Sequence, residues 1–241
     1  MLRLFKLGKV LSLPALKRLL WHLVGSPQMR SLCVSIGSVK DRMQHTSGHY
    51  SFLEPHMKFE KTTLQDVLII QPIVHGDSRG FFIETFHQDR FCEATQTTTK
   101  FIQDNHSRST KNVLRGLHLQ TRKPQGKLIR AVQGAIFDVV VDLREHSKTF
   151  CQWEGFELSA ENFKQLWVPP GFAHGFLTQS DHTEVVYKVT DEYDPEYELT
   201  LAWNDPELSI SWPIASDQPK ISNKDAKGLT LRETLKKLFN N

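Results

Sequence analysis

From Val67 onward the chain is a succession of short β-prone runs separated by turn signals, and this punctuation limits the fold more than any other feature. The runs are VLIIQPIV (67–74), GFFIETF (80–86), KFIQDN (100–105), NVLRGLHLQ (112–120), KLIRAVQG (127–134), AIFDVVVDL (135–143), WEGFELS (153–159), QLWVPPG (165–171), HGFLTQ (174–179), EVVYKVTDEY (184–193) and LTLAWND (199–205). Short segments rich in Val, Ile, Phe and Tyr at this spacing specify an all-β sandwich or barrel rather than alternating βα units. In 136–143 strand alternation puts Phe137, Val139, Val141 and Leu143 on one face and Ile136, Asp138, Val140 and Asp142 on the other. A barrel whose mixed face points inward would line a pocket. Helix is expected only at the edges: a short piece near 86–94, and a C-terminal helix opened by the capping-box pattern Thr230-x-x-Glu233.

Charge divides the chain in two. Residues 1–56 hold eight Lys or Arg against Asp41 and Glu54, a balance of +6, which leaves 22 basic and 25 acidic side chains, or −3, in 57–241. Such a step separates a tail or leader from a folded unit, so the expected organisation is a basic extension over 1–56 and one domain over 57–241. The leader is leucine-rich, but Pro14 interrupts it and Lys17, Arg18 and His22 break the apolar run, which disfavours both an interfacial helix and a secretory signal. The four methionines stand at 1, 29, 43 and 57, and translation in the cell is expected to begin at Met57. No apolar stretch is long enough for a spanning helix, and the domain is not basic enough for a nucleic-acid footprint. Cys33, Cys92 and Cys151 are odd in number and far apart, which points to reduced thiols in a cytoplasmic protein.

Chemistry concentrates in two segments. NHSRSTKNVLRGLHLQ carries Arg115 and His118, and WVPPGFAHGF carries His174 after a Pro-Pro-Gly turn. The pair G-L-H-x-Q and P-x-G-x-x-H resembles the two motifs of cupins, which are double-sheet jelly rolls. Gln120 stands where a metal-binding cupin usually has a second histidine, so no metal is expected. Arg115 and Lys127 make the neighbourhood of His118 cationic and suited to a phosphorylated ligand. Regular alternation would put Arg115 and His118 on opposite faces, and Gly116 between them offers a bulge. Taken alone, Tyr187 reads as a packed strand tyrosine, Asp225 as a turn residue, and Glu84 as a bridge to Arg79. Asp138 and Asp142 read as structural, and Trp153, Trp167, Trp203 and Trp212 as core.

A family resemblance adds to these readings. GDSRGFFIETF, FIQDNHSRS, VLRGLHLQ, QGKLIRAVQGAIFDVVVDLR, QLWVPPGFAHGF, VVYKVTDEY, WNDPELSISWP and SNKDA, in that order, resemble the dTDP-4-dehydrorhamnose 3,5-epimerase family from about Met57 to Asp225. The resemblance implies a cupin-type double-sheet jelly roll with short peripheral helices, acting without metal or cofactor on a dTDP-sugar. Carried over by position, His118 is the base, Asp225 the carboxylate that orients it and Tyr187 the general acid. Lys127 is the cation near the C4 oxygen of the sugar, and Tyr193 an aromatic ring near the nucleotide. Arg79, Glu84, Gln103, Asp104, Asn105, Arg115, His174, Glu198 and Lys224 line the nucleotide-sugar site. The family also implies a homodimer with exchanged strands, and no nucleic-acid or membrane partner. The rival expectations are an enzyme that inverts only one of the two carbons, a silent nucleotide-sugar binder, and a metal-dependent cupin oxygenase.

Overall fold

The computed structural model describes residues 57–214 and 218–239, so the expectation for the 1–56 extension lies outside the described residues. The elements run β1 (Met57–Lys61), β2 (Leu68–Pro72), β3 (Val74–Asp77), β4 (Gly80–Ile83), α1 (Gln88–Thr95), β5 (Gln103–Ser109), β6 (Leu114–Gln120) and β7 (Lys127–Gln133). They continue with β8 (Ala135–Asp142), β9 (Trp153–Ser159), β10 (Gln165–Val168), β11 (Phe172–Thr178), β12 (Thr183–Val189) and β13 (Glu198–Thr200), then a 3₁₀ turn (Asp225–Lys227) and α2 (Leu231–Phe239). One sheet has the order β1-β2-β10-β7-β12-β5 and the other β13-β6-β11-β8-β9, while β3 and β4 form a separate hairpin. This is the expected jelly roll, with one adjustment. The 67–74 run is not a single strand, because Pro72, which lacks an N–H, ends β2 and the chain turns into the hairpin at Val74.

Three apolar layers hold the fold. Between the sheets, Ile129, Leu166, Val168 and Val185 from one meet Ile136, Val140, Phe156, Leu158, Phe172 and Phe176 from the other. Outside the five-stranded sheet, Val139, Val141 and Leu143 pack with Leu201, Leu208 and Leu231, which docks α2 and the C-terminal segment. Outside the six-stranded sheet, Trp167 meets Phe91 of α1 edge-on at 4.9 Å and Phe101 at 5.8 Å. The two faces of β8 are therefore both buried, and its mixed face is the one turned between the sheets. The C-terminal capping box is formed as its spacing implied. The Glu233 carboxylate accepts from Thr230 N–H at 2.9 Å and from its hydroxyl at 2.7 Å, and Thr230 Oγ1 accepts from Glu233 N–H at 3.3 Å.

Candidate active site

β6 and β11 pair antiparallel, His174 opposite His118, but Phe176 then falls opposite Arg115, so the register slips in between. Gly116 is the residue that absorbs the slip. Its φ of +117° is strained for any residue with a side chain, and a Cβ there would stand 2.6 Å from Gly175 Cα and 2.7 Å from His174 O. The bulge re-aims one side chain, and Arg115 and His118 line the same cavity, of about 480 Å³. Strict alternation would have parted them.

His118 Nε2 lies 2.6 Å from Asp225 Oδ1, across a sequence gap of 107 residues. Asp225 is buried at the start of the 3₁₀ turn, and burial alone would raise its pKa; hydrogen bonding and charge from His118, helped by Ser222 and Gly116 N–H, outweigh this and hold it below the usual carboxylate value. An ionised Asp225 accepts from Nε2–H, so in the neutral imidazole the lone pair is the one on Nδ1. Nδ1 is 4.0 Å from Glu198 Oε1. Glu198 is itself engaged, its Oε2 accepting from Lys224 Nζ at 2.8 Å and from Tyr193 OH at 2.9 Å.

Tyr187 belongs to β12, in the sheet opposite His118, and the two side chains share both the 480 Å³ cavity and an adjoining one of about 300 Å³. Burial raises its phenol pKa, Arg115 opposes the rise and Glu198 reinforces it, so the net shift is upward and the hydroxyl keeps its proton at neutral pH. Lys127 lines both cavities as well. Burial lowers its ammonium to about 8 against the pull of Asp138 and Glu198. Beneath it, the fully buried Asp138 accepts from His174 Nε2 at 2.9 and 3.0 Å. Burial raises the Asp138 pKa, and the charges of His174 and Lys127 only partly offset that rise.

Most of the sequence-predicted residues converge here. Gln103, Asn105, Tyr193 and Glu198 line the smaller cavity, and His174, Arg115 and Lys224 the larger. Three do not. Asp104 points to the outer face of β5, where Lys188 Nζ donates to it at 2.8 Å, because a strand that turns Gln103 and Asn105 inward must turn the residue between them out. Arg79 sits in the β3–β4 turn, its Nε 3.1 Å from Asp77. Glu84 pairs with Arg90 rather than with Arg79. Asp142, read as structural, is so: it accepts from Arg144, Ser147 and Thr149. Asp138, read the same way, is the buried hydrogen-bond partner of His174 and feels the charge of Lys127. The mixed face of 136–143 carried the available sign of it. Lys220, which also lines the larger cavity, had no signal in the sequence.

The fold is a cupin-type jelly roll in which the His118–Asp225 pair and Tyr187 face one pocket from opposite sheets, with Lys127 buried beside them. The chain belongs to the dTDP-4-dehydrorhamnose 3,5-epimerase family, whose model matches residues 61–233. It is 53% identical over 172 residues to the dTDP-4-dehydrorhamnose 3,5-epimerase of Pseudomonas aeruginosa, covering 71% of this chain and 94% of that protein. It is 51% identical over 176 residues to that of Salmonella typhimurium, covering 73% and 96%. Among solved structures, the dTDP-6-deoxy-D-glucose-3,5-epimerase of Legionella pneumophila in complex with dTDP-4-keto-L-rhamnose superposes with a TM-score of 0.72 at 46% identity, over 75% of this chain and 97% of that one.

Proposed function

We propose that the chain inverts C3 and C5 of dTDP-4-dehydro-6-deoxy-α-D-glucose to give dTDP-4-dehydro-β-L-rhamnose, with residues 57–241 as the catalytic unit. Both carbons adjoin the C4 ketone, so both carry acidic protons. His118 Nδ1 removes the proton, the C–H electron pair moves into an enolate on the C4 oxygen, and the Lys127 ammonium stabilises that charge. Tyr187 returns a proton to carbon from the opposite side and takes one back from solvent, while His118 loses its proton to solvent. The observation that carries this reading is that His118 and Tyr187 reach one cavity from facing sheets, as a base and an acid on two sides of a ring must. Asp225 holds the imidazole tautomer and offsets the charge it acquires.

Arg115 and Lys224 supply the positive charge for the diphosphate, and Tyr193, Gln103 and Asn105 form the nucleotide end. Arg79 and Glu84 fit this scheme only in a homodimer, where the β3–β4 hairpin of one copy reaches the site of the other. The hairpin is suited to that, with Phe81 62% and Phe82 70% exposed on its second strand, β4. Cys92 and Cys151 are free thiols, which supports a cytoplasmic location; among the described residues no helix is long and apolar enough to cross a membrane. The test is NMR assignment of the product formed from the keto-sugar nucleotide. Inversion at both carbons supports the proposal, inversion at one makes the protein a mono-epimerase, and an unchanged substrate refutes it.

A further inference from the structure

We propose that Gln120 is a positioning residue for the nucleotide end of the site: it grips the chain on both sides of Tyr193 and so fixes the ring on which a nucleobase lies. The inference rests on the nucleotide-sugar reading above. Gln120 is 7% exposed at the end of β6, and its amide is spent on backbone. Nε2 donates to Lys123 O at 2.9 Å and to Glu192 O at 3.1 Å, while Oε1 accepts from Asp194 N–H at 2.8 Å. Glu192 and Asp194 are the immediate neighbours of Tyr193. Gln125 extends the clamp, donating to Asp191 O at 2.8 Å.

Tyr193 depends on this grip. It is 52% exposed, stacks on no other ring among the described residues, and is tied only through its hydroxyl to Glu198 at 2.9 Å. A primary amide is the side chain for the task, because two carbonyls need donors and one N–H needs an acceptor in a buried place. Glutamate at 120 would face carboxylate oxygen towards two carbonyl oxygens. Methionine would keep the volume and strand all three backbone groups.

The experiment compares Gln120→Met and Gln120→Glu with the parent full-length chain, with and without Tyr193→Ala. Expected are a rise of about tenfold in Kd for dTDP and in KM for the keto-sugar nucleotide, a much smaller change in kcat, and faster hydrogen exchange at the Asp194 amide. In the Tyr193→Ala background the same Gln120 substitutions should change the dTDP Kd less than about twofold, because the ring they misplace is gone. An equal loss of affinity in both backgrounds, or an Asp194 amide as protected in the Gln120 variants as in the parent, overturns the positioning role. A parent protein that does not bind dTDP overturns the nucleotide-sugar reading instead, and the Asp194 exchange result separates the two failures.

Discussion

Replacing Lys127 with methionine should separate stability from activity. The unfolded chain keeps this proton up to the usual lysine value of 10.5, whereas the folded protein sheds it near 8. Between those values the folded state is the less protonated, so the stability of the parent rises with pH across that window and the burial cost is fully present below it. A fall from 10.5 to about 8 corresponds to roughly 3 kcal/mol, an upper figure because Asp138 and Glu198 share the site. Lys127→Met removes that cost and leaves Asp138 its hydrogen bonds to His174, so its thermal midpoint at pH 7 should be no lower than the parent's, and its gain in stability between pH 8 and 10.5 should vanish. Turnover should move the other way. Losing a preorganised donor at a developing oxyanion costs about 3–4 kcal/mol, or 10²–10³ in kcat. The parent is about nine-tenths protonated at this lysine at pH 7 and about one-tenth at pH 9. Its activity should therefore fall through an alkaline limb near pH 8 that Tyr187, whose pKa is raised, cannot produce. Thermal melts and rate profiles from pH 6 to 10 check both halves. A variant retaining more than a tenth of parental turnover, or parental activity flat to pH 9.5, would exclude Lys127 as the cation at the developing oxyanion.

Other perturbations bear on separate parts of the site. Asp225→Asn keeps the shape and removes the charge behind His118; loss of a charge-assisted hydrogen bond of about 1.5–3 kcal/mol should lower kcat/KM roughly ten- to two-hundredfold, with the dTDP Kd unchanged in titration calorimetry. Gly116→Ala must clear contacts of 2.6 and 2.7 Å at a φ of +117°, and should cost about 2–4 kcal/mol, lowering the midpoint in a thermal melt by roughly 5–15 °C. Mixed dimers of Arg79→Ala and His118→Ala chains should recover activity that the His118→Ala homodimer lacks, because one site per mixed dimer would hold both native residues. Absence of recovery after subunit exchange would put Arg79 outside the partner's site.

Features determined over a short range of sequence are readable from it, and those set by distant partners are not. Strand punctuation and the Thr230–Glu233 box are local, and both appear where their patterns put them. The inward pair Gln103 and Asn105 follows from alternation alone, and the same rule, applied strictly, would have turned Asp104 outward. At Gly116 alternation misleads: the glycine itself offers a bulge, but whether one forms depends on the close approach of Gly175 on β11, some sixty residues away in sequence. The His118–Asp225 pair spans 107 residues and was visible only through the family resemblance. Asp138 was open to inference from its place on the mixed face of β8. Its meaning required His174, from β11, to be beside it, and register between strands is a tertiary fact.

In the proposed reaction one histidine, His118, removes protons from both carbons beside the ketone. This role is tested by incubating the protein and its His118→Ala variant with the keto-sugar nucleotide in D2O and following the ring protons by NMR. The predicted result is deuterium at both C3 and C5 with the parent and at neither with the variant, which should still bind dTDP. Exchange at a single carbon or at none with the parent, or undiminished exchange with His118→Ala, would show that His118 is not the base for both carbons.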